Sequence, residues 1–179
     1  INNKVLLDLV RTAITDKVNG TKSVDRNKFL NENPEYNNRV ATFVTINING
    51  NLRGCIGTLV AHNKLFDDVT LNAQKAASED PRFLPLTKAE LDSIEIEVSL
   101  LSEQLEIKYK GLADLKSKID IGNDGVVIRQ GDKRATFLPQ VWEQLPDFNE
   151  FFAQLFYKAG ISSLDKPIDV FVYQVKKIK

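Results

Sequence analysis

The sequence predicts an α+β fold, mainly antiparallel sheet flanked by helices. Two hairpin signatures carry the sheet. A β-branched run over 39–48 turns at Asn49-Gly50 and returns through 52–59, and 126–130 returns across Gly131-Asp132-Lys133 through 134–138. Helical apolar stripes over 3–18, 63–78 and 148–158 supply the flanking layer. The 179 residues suit one domain over 1–179, and a hydrophobic content of 42% is enough for a core.

In chain order, Val5, Leu6, Leu9, Val10, Ala13 and Ile14 form one helical stripe, with Asn2 or Asn3 as cap and Gly20 just past the end. Residues 21–38 are polar and aperiodic and read as a long loop, with a short turn near 28–30. The 63–78 helix carries Asn63 as a fair N-cap and three alanines suited to close packing. Thr87-Lys88-Ala89-Glu90 matches a capping box. Residues 94–101 alternate, with Ile94, Ile96, Val98 and Leu100 on one face and Glu95, Glu97 and Ser99 on the other. A short strand over 105–109 follows, then a helix over 111–119 with Leu112, Leu115 and Ile119 facing inward. Pro139 opens a helix over 139–145. The aromatic stripe of 148–158 reads as core, and 169–177 reads as one last strand.

Composition narrows the function classes. Lys+Arg and Asp+Glu both number 24, so the basic excess of a general nucleic-acid binder is missing. One cysteine excludes an internal disulfide, and with one histidine it excludes a zinc site of Cys/His type. No cofactor is expected. Neither a membrane-spanning apolar run nor a signal-peptide pattern occurs, so the expected compartment is the cytoplasm. The chain begins at Ile1 and has no methionine, which reads as a fragment with an upstream segment missing.

The candidate site is Leu52-Arg53-Gly54-Cys55-Ile56-Gly57-Thr58. Glycine weakens a strand interior, so Gly54 and Gly57 imply a bulge or a close approach by backbone or ligand. Alternation sets Arg53, Cys55 and Gly57 on one face, and Leu52, Gly54, Ile56 and Thr58 on the other. Arg53 beside Cys55 could favour the thiolate, or hold a carboxylate or phosphate through two hydrogen bonds. A two-residue turn would pair Ile46 with Arg53 and Val44 with Cys55, on the more apolar face. A bulge or a longer turn would reverse this. The alternative reading makes Cys55 a small buried apolar residue and Arg53 a structural ion-pair partner. His62 could serve Cys55 as a base. Glu97 could pair with Arg53 if their strands adjoin, with Ser99 beside them in a polar pocket. Asp80 and Arg82 could pair locally, or Arg82 could face the site.

The seven-residue stretch resembles the signature of the AMMECR-one domain family. Asp80-Pro81-Arg82-Phe83-Leu84-Pro85-Leu86, Ile96-Glu97-Val98-Ser99-Leu100-Leu101, Ala135-Thr136-Phe137-Leu138-Pro139-Gln140-Val141-Trp142 and Lys158-Ala159-Gly160 are similar to its further motifs, in order. The likeness runs from the first helix to about Gly160. After that, Ile161-Ser162-Ser163-Leu164-Asp165 departs from a segment that often holds tryptophan. The resemblance implies a cytosolic α+β domain of two unequal lobes, without a settled activity. It also implies, by association in microbes, a Memo-type protein and a radical-SAM enzyme as partners.

Two readings compete. In the first, the chain is a module binding a partner or an unknown small ligand through Gly54, Gly57, Thr58, Ser99, Arg82 and, in the fourth motif, Gln140. In the second it is a small enzyme, with Cys55 as nucleophile or redox thiol, Arg53 on an anionic group and Glu97 moving a proton. The binding reading ranks first because the catalytic inventory is thin.

Overall fold

The first helix, α1 (Asn3–Asn19), forms where the stripe and caps place it. The Asn2 side chain accepts from the Val5 amide, and Gly20 closes the helix at φ 69°, in the left-handed region that favours glycine. Leu6, Leu9, Val10, Ala13 and Ile14 are buried along it. The computed structural model describes residues 1–163 and 166–179. They divide into two units, residues 1–101 with 176–179, and residues 102–175.

The stretch read as a long loop holds a second helix, α2 (Arg26–Glu32), and a 3-10 turn over Pro34–Asn37. Asp25 caps α2 by accepting from the Lys28 amide. Seven residues make two turns, too few for periodicity to register. Tyr36 is fully buried, its ring edge-on to Phe29 at 4.9 Å, and its hydroxyl has no partner among the described residues. Burial, aided by the Glu35 charge, pushes the Tyr36 hydroxyl up to about 12. An orphaned buried hydroxyl is a net cost, so Tyr36→Phe is expected to raise stability by about 1 kcal/mol in urea unfolding. A drop of that size would mean that the hydroxyl is bonded.

The hairpin follows, β1 (Ala41–Ile48) and β2 (Asn51–Gly57), with Asn49 and Gly50 both at positive φ. The third helix, α3 (Leu65–Ser78), begins at Lys64 without a side-chain cap; Asn63 does not cap it. Its buried Leu65, Phe66, Val69, Ala73, Ala76 and Ala77 join α1, Val44, Ile46 and Val98 in one core. The capping box Thr87/Glu90 forms and opens a 3-10 segment over Lys88–Ser93, which leads into β3 (Ile94–Leu101).

In residues 102–175 the elements are β4 (Leu105–Ile107), α4 (Gly111–Lys118), β5 (Gly125–Gln130), β6 (Lys133–Phe137), α5 (Phe148–Ala159) and β7 (Asp169–Tyr173). Their sheet has the order β4-β7-β5-β6. The aromatic stripe of α5 is core as expected: Phe148, Phe151, Phe152 and Leu155 are buried. Trp142 stacks on Phe151, with centroids 3.5 Å apart, and its indole N–H donates to the Asp124 carbonyl at 2.8 Å. The predicted 139–145 helix is a 3-10 segment over Pro139–Glu143. Leu112, expected to face inward, is 54% exposed.

The predicted last strand is two. After β7 the chain breaks at Gln174, whose side chain donates to Asp124 at 2.7 Å, and resumes as β8 (Val175–Ile178). β8 closes the other sheet, in the order β2-β1-β3-β8. The fold is thus mixed α+β, with two antiparallel sheets flanked by helices. Of the segment after Gly160 that departs from the family pattern, Leu164 and Asp165 lie outside the described residues.

Candidate functional site

The position of Cys55 is set by a bulge. The hairpin starts with Ile48 opposite Asn51 and Asn47 opposite Leu52, but Ile46 then faces Gly54, so Arg53 is the extra residue. One residue of slip reverses the faces. Cys55 lies opposite Thr45, not Val44, and Ile56 takes the core position opposite Val44. The pairing of Ile46 with Arg53 and Val44 with Cys55 is therefore not the one formed.

The thiol stands on the face turned from the core. Cys55 is half-buried, and its sulfur lies 3.3 Å from the Thr45 hydroxyl. In β3, Glu97 faces Thr45 and Ser99 faces Phe43. Thiol, hydroxyl and carboxylate thus follow one another across three strands of one sheet face. The Glu97 carboxylate is paired with Lys179 at 3.4 Å and Lys177 at 3.8 Å, and Ser99 is buried. A methyl group on Gly57 would meet the Phe43 ring, so the missing side chain of Gly57 is the space that Phe43 occupies.

Arg53 goes elsewhere. It donates to Glu90 through Nε at 2.8 Å and Nη2 at 3.1 Å, and to the carbonyls of Leu84 at 2.9 Å and Pro85 at 3.4 Å. Glu97 is not its partner. With four donor contacts made, no edge of the guanidinium stays open to grip an anion in a fork. Arg53 is thus the structural ion-pair residue of the alternative reading, whereas Cys55 is not the buried apolar residue of that reading.

Residues 80–86 repay this grip. The buried Asp80 accepts from the Cys55 amide at 3.0 Å and from Arg82 through Nε at 3.0 Å and Nη2 at 2.8 Å. Arg82's hydrogen bonds hold the Asp80 carboxyl well below the usual carboxylate range, against the effect of burial. β2 is an edge strand of its sheet, and the two motif segments clasp each other along it: cation from strand to loop, anion from loop to strand. Phe83 lies beneath both guanidinium groups, 6.0 Å from Arg53 and 5.5 Å from Arg82.

Arg53 holds the Glu90 carboxyl down to about 2. A carboxyl lowered on folding adds stability above its unfolded range and loses it as the pH falls toward the folded value. About 1–2 kcal/mol of stability, after allowance for solvent screening, is expected to disappear between about pH 5 and pH 2. In Arg53→Ala that part of the acid limb should flatten in urea midpoints measured against pH; an unchanged limb would mean that the pair is idle.

The other candidates are placed as follows. Gly54 lies against the backbone of Ala76 in α3. Thr58 donates to the buried Asp68 at 2.8 and 2.9 Å, so its hydroxyl is engaged inside the unit. His62 lies in an exposed turn, and the thiol's hydrogen-bonding neighbour is the Thr45 hydroxyl. Gln140 is exposed in the second unit. Sequence reasoning passed over Thr45, which alternation places beside Cys55 once the bulge is allowed, and Glu90, which it read only as a cap. Among the described residues no cluster of metal-ligating side chains occurs, and no helix is long and apolar enough to cross a membrane.

Comparison with known proteins finds the AMMECR1 family model matching residues 7–178. A protein of Methanothermobacter thermautotrophicus is 35% identical over 160 residues, 88% of this chain and 82% of its own. One of Sulfolobus acidocaldarius is 38% identical over 164 residues, 88% of this chain and 71% of its own. The crystal structure of an uncharacterized protein from Pyrococcus horikoshii is similar with a TM-score of 0.77 at 30% identity, covering 97% of this chain and 88% of that one.

Proposed function

The chain belongs to the AMMECR1 family, and from that premise we propose that it is a binding module without chemistry of its own. The binding surface is the sheet face that carries Cys55, Thr45, Glu97 and Ser99, and the occupant is a partner protein or a small ligand. A Memo-type or radical-SAM protein is the partner that the family resemblance implies. The observation that carries this reading is the engagement of Arg53 by Glu90 and two carbonyls. It takes the anion grip away from Cys55, and the thiol is left facing a hydroxyl, which is too weak a base to activate it.

The enzyme reading keeps one support: the Arg82 guanidinium and the Cys55 amide donate to the same Asp80 oxygen, which brings a cation close to the strand that carries the thiol. Iodoacetamide labelling of Cys55 against pH separates the two. A rate that rises only around pH 8 and above, the ordinary cysteine region, supports the binding module. Fast labelling near pH 6 would transfer the assignment to a thiolate enzyme. For the partner, the probes are a purified Memo-type protein and a purified radical-SAM protein, run with the chain in size-exclusion chromatography. Co-elution lost in Glu97→Arg and kept in Lys88→Glu is the expected result. Co-elution with neither probe, or unaffected by Glu97→Arg, would overturn the assignment.

A further inference from the structure

The unit of residues 102–175 holds a site of different chemistry. Three surface depressions meet at Tyr109. One, of about 250 Å³, runs between Leu112 and Leu115 of α4 and Phe152 and Phe156 of α5, with Ile168 and Lys166 also lining it. The next is lined by Lys108, Lys110 and Lys118, with Asp114. Leu112 is exposed at the apolar end, although its helix periodicity assigned it to the core.

Two of these cations are paired. Lys108 pairs with Glu106, and Lys118 pairs with Asp114 at 3.2 Å. Asp114 also accepts the Lys110 amide at 2.7 Å, and Asp169 pairs with Arg129 at 2.9 Å. Lys110 and Lys166 have no acidic partner among the described residues. Lys166 thus lines the apolar slot, and Lys110 lines the depression that adjoins it at Tyr109.

The size of the slot selects the occupant. At about 30 Å³ for each water-sized group, the slot holds a linear chain of roughly eight. We propose that it binds a free medium-chain carboxylate, the tail between α4 and α5 and the head group at Lys110 and Lys166. Apolar walls give the affinity, and the lysines select the charged end.

The test is calorimetric titration of the whole chain with octanoate, and with 1-octanol as a probe of equal tail and no charge. Saturable octanoate binding, at least about tenfold weaker in Leu112→Glu and about fivefold weaker in Lys110→Glu, is expected. Leu112 and Lys110 are both exposed, so both variants should keep the parent circular dichroism and melting point. Binding of 1-octanol should be several-fold weaker than that of octanoate. Absence of saturable octanoate binding, indifference to Leu112→Glu, or equal affinity for 1-octanol would overturn the proposal. So would binding to phosphatidylglycerol vesicles without binding of octanoate, which would make the patch a membrane contact.

Discussion

Gly54→Ala is expected to lower the melting temperature by about 10 °C, the equivalent of about 3 kcal/mol or more in a chain of this size. The added methyl carbon would lie 2.1 Å from the carbonyl oxygen of Ala76 and 3.1 Å from its carbonyl carbon. Both belong to backbone that cannot rotate away, so β2 and α3 must separate. That separation opens the fully buried layer of Val44, Ile46, Val69 and Ala73. Gly57 differs in kind, because its missing methyl is occupied by the Phe43 ring, a side chain that can turn. Two glycines three apart thus serve two purposes, close helix packing on the core face and room for an aromatic ring on the polar face. Because Gly54 adjoins Cys55, iodoacetamide labelling of Gly54→Ala should also be faster than in the parent. An unchanged melting point would mean that strand and helix do not touch there.

Much of this is legible in the sequence. The Asn49-Gly50 turn, the alternation of β3 and the Thr87/Glu90 capping box are local patterns, and each formed as read. The bulge at Arg53 was not legible, because both registers satisfy the same two-residue alternation and differ only in which face receives the thiol. Nor could spacing choose between Glu90 and Glu97 as the partner of Arg53. That choice depends on where residues 80–86 run along the edge of β2, which is a tertiary fact. The break at Gln174 was hidden for a similar reason: a strand that leaves one sheet for another keeps its alternation until a long-range hydrogen bond, here to Asp124, interrupts it. Composition shows one cysteine and one histidine, which gives the catalytic reading of Cys55 little to draw on.

Asp68→Ala should cost about 3–5 kcal/mol, as removing one member of a buried hydrogen-bonded set commonly does. Asp68 is 2% exposed in the first turn of α3, where the helix dipole favours a negative group. It accepts from the Thr42 amide at 2.9 Å, the Thr42 hydroxyl at 2.7 Å, the Thr58 hydroxyl at 2.8 Å and the Asn72 side chain at 3.1 Å. Those donors come from β1, from the residue that ends the signature stretch, and from α3 itself. Truncation would leave them buried without an acceptor, whereas Asp68→Asn keeps the shape and one oxygen and should cost about half as much. The contrast with Thr58→Ala is informative, because Asp68 would then lose one donor and keep three, for about 1 kcal/mol. Urea unfolding of the three variants should therefore rank Asp68→Ala, then Asp68→Asn, then Thr58→Ala. The reverse order would return Thr58 to the binding role assigned from its motif. The expected order makes the last residue of the signature an anchor that fixes the end of β2 against α3, and so holds Cys55 and Thr45 on the open face.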